Sequence, residues 1–324
     1  RRGVTGPGPH FWPNNWYFHQ PKLDAVLRSG LTRFAQVEVH LGHEVREVRD
    51  EGQFVSLSVE DRRSNSLREV TARYVVGCDG AHSMVRSTIG TQMEDLGLHQ
   101  PWLVVDVVAH ADSKRAGLLP DYTVQTCDPR RPMTRVHVGN DRHRWEIMLM
   151  PGDSPDAIVE PHHFWSFVQD VLRPDDGRIE RAAVYTFHAL NAQAWSAGRL
   201  LLAGDSCHQT PPFLGQGMCA GIRDASNLAW KLRLVLRGEA APSLLETYGT
   251  ERRQHVRTFI DLAVRLGGVI TATEPAEVDA RNQQFRAGSP HMFDFPQPQL
   301  GVGLRGDQAP PVGVIFPQPR LGDG

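Results

Sequence analysis

The spacing of hydrophobic positions changes several times along the chain, and each change predicts an element. After Gln20, Leu23, Val26, Leu27 and Leu31 recur at helical intervals with Pro21 tolerated in a first turn, which predicts a short amphipathic helix. Three strands are expected next, over 36–40, 44–48 and 53–59, the last alternating Val55, Leu57 and Val59 like a half-buried strand. A polar stretch over 61–66 turns the chain back. An apolar strand over 70–80 then ends in Asp79-Gly80, and the short helix after it is closed by Gly90.

From Trp102 to His188 the pattern becomes a series of separated strands, WLVVDVVAH, YTVQTC, MTRVHVG, HRWEIMLM and AAVYTFH, with one helix expected over 161–172. Such a run predicts a mainly antiparallel sheet inserted into an α/β unit. Over 198–205, GRLLLAGD is short and continuously apolar, as suits a parallel strand buried on both faces. A Gly/Pro loop, SCHQTPPFLGQGM, leads into two long helices, one through Asp224–Leu236 and one over 243–269 with Leu245, Tyr248, Phe259, Leu262, Ala263 and Leu266 on its apolar faces. No internal repeat is visible.

Composition narrows the class. The chain has 324 residues, 40% hydrophobic and 22% charged, the profile of a globular protein of one or two domains. Its 35 Lys and Arg against 37 Asp and Glu leave a net charge of -2, with no general attraction for nucleic acid or an anionic membrane. Cys78, Cys127, Cys207 and Cys219 are widely spread, with no CxxC pair and no zinc-ligand spacing, so no metal site is expected and a reducing cytoplasm is the default. His162 and His163 are adjacent and read as a surface pair. No apolar run approaches the ~20 residues of a membrane span. The chain opens Arg1-Arg2-Gly3 and closes in a Pro/Gly-rich stretch over 290–324, and it reads as an internal piece of a longer polypeptide.

Two junctions carry chemistry. A carboxylate at the carboxyl end of a parallel strand sits at the crevice where open α/β sheets bind ligands, and Asp205, after Gly204, occupies that place. Beyond it, Gly215 and Gly217 precede a helix, so the backbone can approach a flat ligand while the first amides and the positive end of the helix dipole face it.

The string RLLLAGDSCHQTPPFLGQGMCAGIRDASNLAWKL, over 199–232, resembles the signature of the FAD-dependent aromatic hydroxylases, the class A flavoprotein monooxygenases. That resemblance implies that Gly204 and Asp205 bind the ribityl chain of FAD, and that Gly215, Gln216, Gly217 and Met218 lie at the pyrimidine end of the flavin with Pro212 near the ring. GCDGAHSMVR, over 77–86, resembles the family's DG motif, which implies roles for Asp79, Gly80 and Arg86 near the FAD pyrophosphate and in NAD(P)H binding. Gln20 matches a glutamine that reaches the FAD phosphate or ribityl region. The phrases VVDV, CDPRRP, MLMPGD and ETYGTERRQHV bring the chain closest to the 3-(3-hydroxyphenyl)propionate hydroxylase branch.

The implied fold is α/β: an incomplete Rossmann-like FAD-binding domain with an inserted mainly antiparallel substrate sheet and C-terminal helices. The expected division is 1–100 and 189–270 for the FAD-binding domain, 101–188 for the substrate sheet and 271–324 for the tail. The implied reaction hydroxylates a phenolic acid resembling 3-hydroxyphenylpropanoate, with FAD, NAD(P)H, dioxygen and a flavin hydroperoxide; a homodimer is compatible with it. The alternatives are a hydroxylase of a polycyclic aromatic polyketide and a non-catalytic fragment that binds no flavin.

Departures from the family pattern bear on that choice. No GxGxxG follows an opening strand, no acidic ribose-binding residue is present, and IFPQPRL over 315–321 resembles a lead-in to a thioredoxin-like domain. Cys219 stands where several relatives carry Asn. Among other candidates, His208, His188 and Tyr185 are expected to be packing or loop residues rather than catalytic groups. Tyr185 and Phe187 should share one strand face and His188 the other. Arg130, Arg131 and Arg135 are read as solvent-facing rather than as substrate-carboxylate partners.

Overall fold

A computed structural model of the chain describes residues 16–139, 141–288, 296, 298–304, 306, 308 and 312–314. The first residues of the chain and the 315–321 segment lie outside them.

The first helix, α1 (Gln20–Gly30), forms as expected with Pro21 in its first turn, and it buries none of its residues. The strand expected over 36–40 is absent: Val37 and Val39 are 45% and 50% exposed, with no neighbouring strand to receive their ladder hydrogen bonds. Strands β1 (His43–Asp50), β2 (Val55–Asp61) and β3 (Ser66–Ala72) form an antiparallel meander in that order. Its second turn carries Asn65 at φ 54, the left-handed region that Asn tolerates.

The single strand expected over 70–80 is divided at Arg73-Tyr74, because its halves serve different sheets. β3 pairs with β2, whereas β4 (Val75–Gly77) leaves the meander to pair in parallel with a strand more than a hundred residues later. Helix α2 (Met84–Ile89) follows, closed by Gly90 in the left-handed conformation.

Strand β5 (Met93–Ala109) starts nine residues before the expected Trp102, across a bulge between Asp95 and His99. It is followed by β6 (Val124–Thr126), β7 (Met133–Gly139), β8 (Arg142–Met148), helix α3 (Pro161–Val168), β9 (Gly177–Ala192), β10 (Ser196–Ala197), β11 (Leu200–Leu202) and β12 (His208–Gln209). The order β12-β9-β5-β8-β7-β6 makes one antiparallel six-stranded sheet. Alternation gives this sheet two unlike faces. Leu103, Val105, Val107, Trp145 and Ile147 pack against Phe164 and Val168 of α3, while Asp106, Arg144 and Glu146 point the other way.

β11 is the expected parallel strand, its three leucines at most 3% exposed and aligned with Val75, Val76 and Gly77. The helix expected from Asp224 begins earlier, so α4 (Gly217–Leu236) has the glycine loop as its own first turn. α5 (Glu246–Ile270) buries five of the six apolar residues assigned to it, Leu245 being buried in the turn just before it, and a further helix, α6 (Pro275–Arg286), lacks the periodicity that would have announced it. Among the described residues no helix is long and apolar enough to cross a membrane.

Candidate functional site

The parallel pair β4 and β11 brings the two sequence junctions side by side. Ser206 Oγ donates to the Gly77 carbonyl at 2.6 Å and accepts from Ala203 N at 3.1 Å, joining the two strand ends. Arg86 spans the same gap: Nη1 donates to Ser206 O at 2.8 Å and Nη2 to Ala81 O at 2.6 Å. Asp79 Oδ2 accepts from Val85 N at 3.1 Å and so caps α2. Gly80, at φ 76, turns the chain between them. Asp79 and Arg86 thus shape the DG loop here, and they do so beside Asp205, which stands exposed after Gly204 (φ 68).

Gly204 meets α4 closely, since a Cβ on Gly221 would lie 3.5 Å from the Gly204 Cα. At the head of α4, Gly215 has φ 63, Gln216 gives no side-chain cap, and a Cβ on Gly215 or Gly217 would meet nothing within 4 Å. The first amides of α4 have no intrahelical partner and face open space.

That space is a cleft of about 1170 Å³. Gln20, Pro212, Gly215, Gln216, Gly217 and Met218 line one side, so six of the eleven site residues expected from sequence converge there; Asp79, Gly80, Arg86, Gly204 and Asp205 are not among its walls. The opposite wall is the free face of the six-stranded sheet. Bidentate Arg144–Asp106 bonds at 2.7 and 3.0 Å cross from β8 to β5, and Arg142 reaches Glu180 at 3.2 Å. Glu146 is 8% exposed; burial pushes its carboxyl up to about 7, with Arg144 opposing and Asp106 adding to the shift. Burial and the neighbouring Arg135 push His143 down to about 4, and burial also lowers His137, so both rings are neutral near pH 7.

Four buried polar atoms in this cleft have no hydrogen-bond partner: His19 Nδ1, Thr134 Oγ1, His137 Nδ1 and Thr210 Oγ1. Orphaned groups cost about 1–3 kcal/mol each when nothing satisfies them, so these four, on residues that line one cavity, are candidates for contact with a ligand. Thr210 lies in the glycine loop and was not singled out by the sequence, where only its place between the Gly-Asp turn and the glycines hinted at it.

A second polar cluster, also unforeseen, lies behind the loop. Asp224 Oδ2 accepts from Gly204 N at 3.1 Å and from His208 Nε2 at 2.7 Å, while Oδ1 accepts from Arg252 Nε at 2.9 Å. Burial alone would raise the Asp224 carboxyl, but His208 and Arg252 hold it below its ordinary range. Lys231 Nζ donates to Glu251 at 2.6 Å and to Thr247 at 2.7 Å in the same layer. Cys207, His208 and Asp224 are near enough to one another to hold a metal. Burial raises the Cys207 thiol far above its ordinary value, however, and Arg252 already supplies the positive charge. The trio is a hydrogen-bonded brace for the Gly-Asp turn; His208 is not the loop residue expected but lies on β12, paired with β9 and bonded through its ring to a side chain.

The remaining candidates fall elsewhere. Phe187 stacks with Trp102 at 5.7 Å in the core, and Tyr185 is 41% exposed beneath Arg181. His188 Nδ1 lies 2.6 Å from His99 Nδ1 on the adjacent strand. Arg130 pairs with Asp128 and Arg131 with Asp153. The solvent-facing expectation fails for Arg135, which is 6% exposed and donates to the carbonyls of Pro120 and Tyr122 in the segment before β6, and in part for Arg131, which is half-buried, stacked over Phe167 and bonded to Met148 O. His162 and His163 stack on each other at 4.1 Å on α3.

The residues over 10–263 match the family model described as FAD binding domain. The chain belongs to that FAD-binding family. Two curated relatives share 37% identity over 96% of the chain. They are a "Probable NADH-specific resorcinol 4-hydroxylase" of Rhodococcus jostii and a 3-(3-hydroxy-phenyl)propionate/3-hydroxycinnamic acid hydroxylase of Escherichia coli O157:H7. The chain covers 58% and 57% of their respective lengths, a little over half of each. The fold is that of p-nitrophenol 4-monooxygenase PnpA from Pseudomonas putida, with TM-score 0.72 and 23% identity over 84% of this chain and 69% of that one. It is also that of aklavinone-11 hydroxylase in complex with FAD and aklavinone, with TM-score 0.71 and 24% identity over 81% and 50%.

FAD suits the residues present in this FAD-binding chain. The open glycine cradle, the uncapped start of α4, the exposed Asp205 carboxylate and the orphaned Thr210 hydroxyl offer amides to an electron-rich ring and acceptors or donors to a polyol.

Proposed function

We propose that the chain is the flavin-facing and substrate-facing part of a FAD- and NAD(P)H-dependent monooxygenase that hydroxylates a phenolic ring with dioxygen. The observation that carries this reading is the cleft itself, with the glycine loop and the helix start on one wall and a polar sheet face on the other. The names of the two curated relatives support the reaction class.

When bound, FAD would supply the redox chemistry, accepting reducing equivalents from NAD(P)H and activating dioxygen. The chain's residues do the rest. Asp205 would accept hydrogen bonds from the ribityl hydroxyls, and the first amides of α4 would stabilise negative charge on the ring, as a helix N-terminus does. Pro212 and Met218 close the loop side of the cleft. The sheet, over 101–188 in the division expected from sequence, positions the phenol, and the enclosing walls limit water. The DG loop residues Asp79, Gly80 and Arg86 keep their role toward the pyrophosphate and nicotinamide cofactor as part of the same proposal, as does Gln20 at the cleft.

The test is flavin retention after gel filtration of the chain incubated with FAD, followed by NADH or NADPH oxidation in a polypeptide of the relatives' full length, with and without phenols. Retained flavin and phenol-stimulated oxidation are expected. Absence of flavin from both polypeptides would overturn the reading.

A further inference from the structure

The free sheet face of the cleft carries a matched pair of polar residues. Thr134 on β7 and Glu146 on β8 stand directly opposite each other in the antiparallel register, with Val104 of β5 on the far side of Glu146. Opposed residues on one face have Cβ atoms about 5 Å apart, so the two polar ends share one patch of cleft wall. Thr134 is 4% exposed and its Oγ1, the side chain's single polar atom, has no partner. Glu146 lines the same cleft, and no hydrogen bond joins its carboxyl to another of the described residues.

Resting on the monooxygenase reading above, we propose that Glu146 and Thr134 together receive one hydroxyl of an uncharged phenol, making the cleft selective for resorcinol-like phenols over phenols that carry a carboxylate. A phenolic hydroxyl both donates and accepts, so it pairs with the acid and the threonine at once and satisfies both. A carboxylate only accepts, and beside Glu146 it would meet a group of its own sign whenever that acid is ionised.

The charge of the whole wall points the same way. Among the described lining residues the acids are Asp24, Asp106, Glu146 and Glu180, and the arginines are Arg142, Arg144 and Arg181. Arg142 and Arg144 are already bonded to Glu180 and Asp106. Arg181 also lines the cleft, stacked over Tyr185, but it stands on β9 opposite Asp106, two strands away from Glu146 on β8. His137 and His143 are neutral at pH 7 for the reasons given above. Beside Glu146 and Thr134 an entering carboxylate would therefore have to break an existing ion pair to find a cation, whereas a neutral phenol breaks none.

The experiment is isothermal titration of the 324-residue chain, with and without FAD, against resorcinol and 3-(3-hydroxyphenyl)propionate. Resorcinol should bind about tenfold more tightly, the worth of roughly one charge-assisted hydrogen bond. Glu146→Leu and Thr134→Val should each lower resorcinol affinity about tenfold, while Glu146→Gln, which keeps a donor and an acceptor, should stay within about threefold. Thermal melts and circular dichroism of each variant separate lost binding from lost folding. Equal or tighter binding of the propionate overturns the proposal, as does resorcinol affinity unchanged in both folded variants, or no binding of either phenol. Lost FAD retention with intact resorcinol binding would instead defeat the monooxygenase reading and leave the phenol site standing.

Discussion

Two buried polar clusters lie on opposite sides of the glycine loop, and they are finished to different degrees. Behind the loop, Asp224 bonds to His208 and Arg252, and Glu251 to Lys231, all within 2.6–2.9 Å. Even the atoms there that lack partners, Arg252 Nη2, His208 Nδ1 and Asn227 Oδ1, belong to side chains anchored through another atom. In front of it, Thr134 and Thr210 have no partner at all, and Glu146 is held partly neutral by burial. The difference separates structure from site. A cluster that satisfies itself holds the Gly-Asp turn in place, and one that leaves good donors and acceptors dry awaits a ligand.

The largest test of that contrast is Arg252→Ala, which takes the guanidinium from the buried Asp224 carboxylate and leaves Oδ1 without its donor. We expect a loss on the order of 3–5 kcal/mol in denaturant unfolding, and a loss under 1 kcal/mol would remove Asp224 and Arg252 from the bracing role. Glu146 should show the opposite character through pH. Its folded pKa is raised from 4.5 to about 7, so its contribution to stability is complete below about 4.5 and is lost as pH rises through 7. Glu146→Gln should flatten that decline, worth on the order of 3 kcal/mol, in melts recorded from pH 4.5 to 8; an unchanged slope would contradict it. His143, pushed down to about 4, acts in the other direction, its contribution being present above 6.5 and lost as pH falls toward 4.

A smaller effect is expected of Thr134→Val. Removing an unpaired hydroxyl should leave stability unchanged or raise it by about 1 kcal/mol, and a clear loss would show that the hydroxyl already has a structural partner. Least of all should Asp205→Ala change folding, within about 0.5 kcal/mol for an exposed position, while weakening FAD retention. Unchanged retention would displace the ribityl site from the Gly-Asp turn.

Much of the architecture was legible because burial and period coincide. The alternation in β5, β7, β8 and β9, the all-leucine β11, the α5 stripe and the closure of α2 by Gly90 all read directly from residue types. The strand expected over 36–40 failed because β-branched residues propose a strand without supplying a neighbour. The 70–80 strand broke because its two halves were claimed by different sheets, a long-range choice that no local window contains. The glycine loop was legible from its spacing, but Asp224, Arg252, Thr134, Glu146 and Thr210 were not. Each is an ordinary polar residue until the fold removes water from it.

The sequence alone determined the alternation of α/β and antiparallel stretches, the parallel strand ending in Gly204-Asp205, and the glycine start of α4. These depend on backbone propensity and periodicity, which act over a few residues. Tertiary structure decided which polar side chains are paired and which are left open, because desolvation and hydrogen bonding depend on neighbours brought together from β5, β7, β8, α4 and α5. That is why the family was readable in one contiguous string, whereas the cleft that would choose the substrate emerged only when the sheet and the loop faced each other.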